Sequence, residues 1–319
     1  MSDNVKVLVV GAGSMAKEYC KVLQAMQKEI IVVGRSENSA AQFEEEMGIP
    51  VLSGGIERNI AEIGEIPEYA IVAVDVKQLA SVTQTLLDNG IKNILLEKPG
   101  AFTRQEMETV SDEAAEQNAN VYIAYNRRYY SSTQKALEII KEDGGVSSFH
   151  CEFTEWAHVI EKSAHPREVK ETTFFGNSTH VLDLAFFLGG RPKEISTYVA
   201  GALEWHSSGC VYAGGGVTEN GALFSYHADW SAPGRWAVEV LTNKHRLYFK
   251  PLETLQIQEL ASVEVNPIEI DDYLDRKFKP GLYRQVQSFL GNIDDGKRIT
   301  IAEQVENLSF YEKIAGRTY

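Results

Sequence analysis

The first 124 residues alternate between short apolar runs rich in β-branched side chains and amphipathic stretches with helical spacing. The apolar runs predict strands over 6–10, 29–33, 69–74, 93–96 and 120–124. The amphipathic stretches predict helices over 14–27, 39–47, 78–89 and 103–117. Strands that alternate with helices in this way predict a parallel sheet covered by helices on both faces.

After residue 125 the pattern changes. Helical spacing over 131–142 and 178–188 is followed by five strand-like segments, at 195–203, 210–212, 222–228, 236–241 and 245–249. Several of them alternate apolar and polar positions, which predicts an antiparallel sheet with one open face. Helical spacing returns over 283–292 and 301–314. We therefore expect an α/β protein with two domains, residues 1–124 and residues 125–319.

A glycine-rich turn separates the first predicted strand from the first predicted helix. It consists of Gly11, Ala12, Gly13, Ser14, Met15 and Ala16. This is the alanine form of the G-x-G-x-x-G/A fingerprint of dinucleotide-binding folds. Gly11 would permit the tight turn, Gly13 would admit a pyrophosphate, and Ala16 would allow close helix packing. Glycine-rich turns also occur without nucleotides, but the position in the first βαβ unit favours a cofactor site.

The end of the second strand bears on the choice of cofactor. NAD sites usually present a carboxylate there to bind the ribose hydroxyls, whereas this chain has Gly34, Arg35 and Ser36. Arg35 and Ser36 are able to donate hydrogen bonds to a 2'-phosphate, which favours NADP(H) with NAD(H) as a possible alternative. In the competing interpretation Arg35 is a solvated loop residue and Glu37 reaches the ribose.

Glu97, Lys98 and Pro99 follow the apolar run 93–96. The carboxyl end of a parallel strand faces the crevice where open α/β sheets bind ligands, and the proline restricts the backbone next to the lysine. An ammonium group there stabilises the negative charge that develops on a ketone oxygen during hydride transfer. We expect Lys98 to be catalytic and Glu97 and Lys98 to face the cofactor. A solvated surface lysine is the alternative.

Composition and charge limit the classes of partner. The chain has 319 residues and a formal net charge of -14, which argues against nucleic acid and anionic membrane surfaces. Its three cysteines are widely spaced and form no CxxC pair, so neither a disulfide framework nor a metal site is expected. No run approaches the length of a membrane span and no leader segment is apparent. We expect a cytoplasmic protein.

These motifs together resemble the glucose-fructose oxidoreductase, inositol dehydrogenase and rhizopine-catabolism family, Gfo/Idh/MocA. The matching pieces are the glycine turn, Glu97-Lys98-Pro99, Asn126-Arg127-Arg128 and His180-Val181-Leu182-Asp183-Leu184. The resemblance implies an N-terminal Rossmann domain and a C-terminal α+β domain with a large open, mainly antiparallel sheet. It also implies NAD(P)-dependent oxidation or reduction of sugars, sugar nucleotides or cyclic polyols, in homodimers or homotetramers.

His180 is the second candidate for catalysis, because an imidazole titrates near neutral pH and suits proton exchange with an alkoxide. Asp183 lies three residues later on the same helical face and would hold the ring in one tautomer or only stabilise the helix. Many members of the family carry an aspartate four residues before this histidine. The present chain has Gly176 there, so a mechanism that depends on that carboxylate is excluded.

Further polar residues are expected to contact a polyhydroxylated substrate. They are Tyr125, Asn126, Arg127 and Asn177, together with His180 and Asp183. Arg127 and Arg128 would alternatively form salt bridges at the protein surface or between domains.

Three functions are compatible with these residues. The first is an NADP(H)-dependent oxidoreductase that transfers a hydride to or from a hydroxyl or keto carbon of a sugar, sugar nucleotide or cyclic polyol. The second is a non-catalytic nucleotide or sugar sensor, which the absence of a carboxylate at Gly176 leaves open, although the presence of Lys98 and His180 favours the enzyme. The third is a reductase of a non-sugar substrate, because a fold does not determine the substrate.

Overall fold

The computed structural model describes residues 5–291 and 295–319, and the chain divides into two compact units. The first unit contains the chain up to Asn126 together with Leu274–Glu306. The second contains Arg127–Tyr273 and Asn307–Tyr319. The domain boundary predicted from the sequence, after residue 124, therefore lies two residues before the chain first passes from the first unit to the second. The prediction did not include the return of Leu274–Glu306 to the first unit.

The first unit is built on a six-stranded parallel sheet. Its strands are β1 (Lys6–Val10), β2 (Glu29–Val33), β3 (Val51–Leu52), β4 (Tyr69–Val72), β5 (Asn93–Leu96) and β6 (Asn120–Ile123). Its helices include α1 (Ser14–Ala25), α2 (Glu37–Met47), α3 (Ile56–Asn59), α4 (Leu79–Asp88) and α5 (Arg104–Glu116). The strand order is β3-β2-β1-β4-β5-β6, so the direction of winding reverses between β1 and β4. This is the Rossmann order, and the predicted fold of the N-terminal part is confirmed.

The second unit is built on a larger sheet. Its strands are β7 (Ser148–Glu152), β8 (Pro192–Ala200), β9 (Val211–Thr218), β10 (Leu223–Asp229), β11 (Ala237–Leu241), β12 (His245–Phe249), β13 (Gln256–Glu259) and β14 (Asn266–Pro267). Its helices are α6 (Ser131–Glu142), α7 (Ala157–Lys162), α8 (Arg167–Glu171) and α9 (Thr179–Gly189). Helix α10 (Tyr273–Lys277) follows at the boundary, with all but its first residue in the first unit. The strand order is β14-β13-β12-β11-β7-β10-β9-β8. All neighbouring strands are antiparallel except β7 and β10, so the predicted mainly antiparallel sheet is confirmed.

One face of this sheet is covered and the other is open. Helix α9 is almost wholly apolar and buried, and it packs on β7 and β11. On β10, Phe224 and Tyr226 are buried, whereas the intervening Ser225 is exposed and Leu223 is 62% exposed. This alternation is the pattern that the sequence predicted for a half-covered antiparallel sheet.

Four strands were not predicted from the sequence, namely β3, β7, β13 and β14, and β7 matters for the site. β3 is a two-residue edge strand, and β7 lies in the middle of the large sheet. Phe149 and Cys151 of β7 are buried and alternate with partly exposed residues. The neighbours of β7 are β10 and β11, which come more than 70 residues later, so nothing local in the sequence indicates its pairing.

The chain ends with α11 (Leu282–Leu290) and α12 (Ile301–Ala315). Helix α11 belongs to the first unit, where Leu282, Val286 and Phe289 join the hydrophobic core around α1 and β1. Their spacing of three and four residues places them on one helical face. The helix predicted over 283–292 is therefore present, although its last residue, Asn292, lies outside the described residues.

A π-helical turn, Phe174–Ser178, leads directly into α9. Turns of this kind widen the helix by one residue and are often found at functional sites. Within residues 5–291 and 295–319, no helix combines the length and the apolar character needed to cross a membrane.

Gly189 at the end of α9 allows the close approach of this helix to β7. A Cβ at this position would lie 2.2 Å from two ring carbons of Phe149, and that ring packs against Phe186 and Phe224. We expect Gly189→Ala to lower the free energy of unfolding by about 1–3 kcal/mol, because the ring has no free space to move into. Gly176→Ala is the matched control, since a Cβ there meets no atom within 4 Å. Urea denaturation measures both, and equal midpoints would contradict the proposed packing.

Candidate active site

The glycine turn after β1 contains two glycines with different structural requirements. Gly11 has a φ of +129°, and a Cβ on it would lie 2.2 Å from the carbonyl oxygen of Ala73. The fold itself therefore requires this glycine. Gly13 has an ordinary φ of -93°, and a Cβ on it would meet no protein atom within 4 Å. The space beside Gly13 is thus open for a ligand.

Helix α1 begins immediately after this turn. Its N-cap is Gly13, which offers no side-chain hydrogen bond, and its first turn has no acidic residue. The N-terminal amide groups are therefore available to an anion such as a pyrophosphate. Ala16 is fully buried and permits close packing, Met15 packs at the edge of the core, and Ser14 is exposed at the first helical position. The residues present fit a dinucleotide.

The end of β2 lies beside this turn. A Cβ on Gly34 would lie 3.1 Å from the Cβ of Ala12 and 3.1 Å from Cγ1 of Val51, so a carboxylate-bearing residue would not fit there without displacing them. Arg35 is exposed and forms no ion pair among the described residues. The Ser36 hydroxyl caps α2 by accepting a hydrogen bond from the Ser39 amide at 3.2 Å.

Glu97 and Lys98 follow β5, the neighbour of β4. The Tyr19 hydroxyl on α1 donates a hydrogen bond of 2.7 Å to Glu97 Oε1, which connects the residue before Lys98 to the helix of the glycine turn. Burial raises the pKa of Glu97, and the Lys98 charge and the Tyr19 hydrogen bond oppose that rise. Lys98 is half-buried, and its peptide bond to Pro99 is cis.

Tyr125 and Asn126 lie after β6 and have partners within the first unit. The side-chain amide of Gln304, on α12, donates to the Tyr125 hydroxyl at 3.0 Å and to the Pro99 carbonyl at 3.3 Å. The amide of Asn126 donates to the Pro280 carbonyl at 2.9 Å. Both residues are buried, and their expected contacts with substrate stay predictions.

In the second unit, Arg128 and Asp183 form a buried ion pair. The guanidinium donates from Nε to Oδ2 at 2.8 Å and from Nη2 to Oδ1 at 2.6 Å. Asp183 is 1% exposed, and burial raises its pKa despite the charges of Arg128 and Arg127. Its hydrogen-bond partner among the described residues is Arg128 rather than His180. The ion pair gives Asp183 a structural role, and its contact with substrate stays a prediction.

Glu155 is the buried carboxylate that sequence reasoning missed. It lies three residues after β7, is 1% exposed, and accepts hydrogen bonds from Ser178 Oγ at 2.8 Å and Asn177 Nδ2 at 2.9 Å. Arg235 Nη1 lies 3.4 Å from its second oxygen. Burial raises the pKa of Glu155, while polar contacts from Ser178, Arg235, Trp236 and Asn177 oppose the rise. The alternation of apolar residues in β7 is the one sequence signal that would have indicated this position.

The indole of Trp236 lies between two guanidinium groups. Arg235 Cζ is 4.3 Å and Arg127 Cζ 4.7 Å from the ring centroid, and the His180 ring centroid is 6.2 Å away. Burial lowers the pKa of Arg127, and Arg235 adds to this effect, whereas Tyr130, Glu253 and Glu155 oppose it. His180, Arg127, Arg235 and Glu155 therefore share one neighbourhood around Trp236.

A groove of about 610 Å³ runs from Glu155 past Trp156, which is 51% exposed. The indole N–H of Trp156 donates to the Gly234 carbonyl at 3.2 Å, and Arg235 lies 4.5 Å from its ring. Trp205 and Trp230 line the same groove. An exposed indole beside carboxylates is able to stack on one face of a hydroxylated ring.

Residues 5–125 match the family model named GFO_IDH_MocA and described as "Oxidoreductase family, NAD-binding Rossmann fold". This part of the chain is similar to the Gfo/Idh/MocA oxidoreductases. The resemblance inferred from the motifs is confirmed, and so is the oxidoreductase class at the level of the family. The glycine turn and Glu97-Lys98-Pro99 both lie within the matched residues.

A curated relative extends the likeness beyond this domain. The NADP(+)-dependent scyllo-inositol 2-dehydrogenase IolW of Bacillus subtilis (strain 168) is 21% identical over 272 residues, which cover 78% of this chain and 74% of the relative.

Solved structures with the same fold cover almost the whole chain. UDP-N-acetylglucosamine 3-dehydrogenase of Acidithiobacillus ferrooxidans has a TM-score of 0.76 at 14% identity, and 99% of this chain and 98% of that chain are covered. Levoglucosan dehydrogenase in complex with NADH and levoglucosan has a TM-score of 0.78 at 17% identity, with 98% and 96% covered. At these identities the likeness concerns the fold.

The two glycines of the turn are expected to respond differently to substitution. Gly13→Thr should leave the thermal unfolding midpoint near that of the unmodified protein, because threonine caps a helix about as well as glycine. It should weaken dinucleotide binding by about tenfold to a hundredfold, because the side chain fills the space beside the helix N-terminus. Calorimetric titration with NADP and NAD measures the affinity.

Gly11→Ala is the comparison variant. It should lower the unfolding midpoint, because its Cβ would overlap the Ala73 carbonyl in the free protein. Unchanged dinucleotide affinity in the Gly13→Thr protein would contradict the assignment of this turn.

Proposed function

We propose that the protein is an NADP(H)-dependent oxidoreductase that transfers a hydride to or from a hydroxyl or keto carbon of a sugar, sugar nucleotide or cyclic polyol. The proposal is supported most by one arrangement within the first unit. Gly11 follows β1 and Lys98 follows β5, and these strands flank β4 in the parallel sheet, so both residues lie at the same edge. That edge is where folds of this class bind ligands.

The residues that would hold the dinucleotide are the glycine turn, the opening amides of α1 and the Gly34–Ser36 segment. When bound, the nicotinamide ring would supply or accept the hydride. Lys98 would donate a hydrogen bond to the substrate oxygen and stabilise its developing negative charge. His180 would exchange the proton of that oxygen. Neither role needs a carboxylate at position 176.

The preference for NADP(H) rests on the end of β2. Gly34 carries no carboxylate that would repel a 2'-phosphate, and Arg35 is exposed without an ion pair among the described residues. Glu37, in the first turn of α2, remains the alternative group for a ribose hydroxyl. The Bacillus relative is named as an NADP(+)-dependent enzyme, which agrees with the first interpretation.

A polyhydroxylated substrate is supported by the groove beside Glu155. Trp156 offers an exposed aromatic face, and Asn177 offers polar atoms near it. Two relatives are named for activity on a cyclic polyol and on a sugar nucleotide, which agrees with this substrate class.

Replacing Lys98 tests the chemical role. Lys98→Ala should lower kcat by about 10²- to 10⁴-fold, because the developing oxyanion loses its cationic partner. The assay follows NADPH oxidation or NADP reduction with the best substrate from a panel of keto-sugars, sugar nucleotides and polyols. Lys92→Ala is the matched control, because Lys92 is exposed just before β5 and binds the Gln117 carbonyl. Turnover near that of the unmodified protein in Lys98→Ala would remove Lys98 from the mechanism.

Replacing Arg35 tests the cofactor preference. Arg35→Ala should reduce kcat/KM for NADPH by about tenfold to a hundredfold and change the value for NADH little, because only the 2'-phosphate loses a charged hydrogen bond. Initial rates at matched substrate concentration give both values. Equal kcat/KM values for NADPH and NADH in the unmodified protein would contradict the proposed preference for NADP(H).

The sensor function remains a second candidate because of one observation, the missing side chain at Gly176. Tight NADP binding without turnover of any substrate in the panel would favour it. A reductase of a non-sugar substrate would instead turn over imines or other apolar carbonyl compounds in preference to the polyhydroxylated panel.

A further inference from the structure

Glu155 occupies an unusual place for an acidic side chain. It is 1% exposed, and it lies in the segment that joins β7 to α7. Buried carboxylates are rare unless their oxygens are fully engaged, because removing the charge from water costs several kcal/mol. The donors that bind this carboxylate, and the segment that it stabilises, therefore bear on its role.

The donors around Glu155 fit an ionised acceptor. Ser178 donates to Oε1, and Asn177 and Arg235 direct N–H groups at Oε2. A protonated carboxyl would itself donate a hydrogen bond to one of these groups. Two of the three, the N–H groups of Asn177 and Arg235, are donors only and do not accept it. The arrangement therefore fits a carboxylate whose two oxygens both accept.

These contacts converge on the segment that precedes His180. Asn177 and Ser178 form the end of the π-helical turn, and His180 follows two residues later in α9. Arg235 connects Glu155 to Trp236, whose ring neighbours that of His180. The charged groups that contact Trp236 beside this imidazole are Arg235 and Arg127, and Glu155 contacts Arg235. On the helix of His180 itself, Asp183 is paired with Arg128.

A side chain would fit at position 176, but the residue there is glycine. A Cβ on Gly176 meets no atom within 4 Å, and its backbone is not in the left-handed region that favours glycine. Packing therefore does not explain the glycine. The carboxylate in contact with this turn comes instead from the loop after β7.

We propose that Glu155 is a positioning residue for the oxidoreductase activity proposed above. Its carboxylate fixes the Asn177–Ser178 turn and Arg235 around His180, and it supplies the negative charge that position 176 lacks. The inference rests on the proposed function for its kinetic consequences, whereas its effect on His180 is measurable without a substrate.

The kinetic test compares a buried and an exposed glutamate of the second unit. Glu155→Gln should lower kcat by about tenfold to a hundredfold and leave KM for NADPH within about twofold, because a misplaced imidazole affects the chemical step. Glu259→Gln is the matched control, since Glu259 is exposed at the end of β13 and does not line the groove. A Glu155→Gln protein with the kcat of the control would overturn the proposal.

A second substitution distinguishes charge from packing. Gly176→Asp places a carboxylate on the same turn, where there is open space. Added to Glu155→Gln, it should restore kcat by at least about fivefold, because it returns a negative charge to the surroundings of His180. A purely structural defect at residue 155 would not recover in this way, and absence of recovery overturns the assigned role.

The third readout does not depend on turnover. The His180 resonances, identified by their loss in His180→Asn, are titrated by NMR. Removal of a nearby negative charge should lower the pKa of His180 in Glu155→Gln, and Gly176→Asp should raise it again. If no substrate turns over, the proposed function fails and this titration alone decides the inference. An identical His180 titration in Glu155→Gln and Glu259→Gln overturns it.

If Glu155→Gln does not fold, Ser178→Ala takes its place. This variant keeps the carboxylate and removes one donor, and we expect kcat to fall about threefold to tenfold, in line with the loss of one hydrogen bond to a charged group. Unchanged kcat in a folded Ser178→Ala protein counts against the role of the turn.

Discussion

The hydrogen-bond ladder of the parallel sheet continues one residue beyond its strands, and the candidate active site depends on this extension. The Gly11 amide donates to the Val33 carbonyl at 2.8 Å, and the Ala73 amide donates to Val10 at 2.8 Å. The Glu97 amide donates to Val72 at 3.0 Å. These bonds set the register of the loops after β1, β4 and β5. A slip of one residue in β5 would exchange the faces on which Glu97 and Lys98 emerge.

In the second unit, two carboxylates are buried within an apolar layer of helix and sheet. Asp183 is matched by a single cation, Arg128, with two short hydrogen bonds, and this satisfies the carboxylate completely. Glu155 is held mainly by neutral donors and by a longer contact with Arg235. The first arrangement is typical of a structural ion pair. The second leaves a carboxylate that still influences its surroundings electrostatically, because no single cation cancels it.

The sequence predicted the fold well where each element carries its own signal. The strands of the Rossmann sheet are short apolar runs, and the glycine turn and Lys98 follow them directly. The sequence did not predict the structures that depend on partners far away in the chain. β7 pairs with strands far away in the chain, so Glu155 could not be assigned to the turn before His180. Likewise, the ion pair of Asp183 with Arg128 joins residues 55 positions apart. The close packing that favours glycine at position 34 involves Ala12 and Val51, which are also distant in the sequence.

The π-helical turn before α9 has a consequence for alignment with other proteins of this fold. An α-helix repeats every 3.6 residues, whereas Phe174–Ser178 follows a wider repeat, so the residue four positions before His180 is oriented differently from the same position in a regular α-helix. Deleting one residue from this segment would return it to an α-helix and rotate everything before it by about 100° relative to His180. Homologues that differ by one residue here would present different side chains to the imidazole while their helices still superimpose.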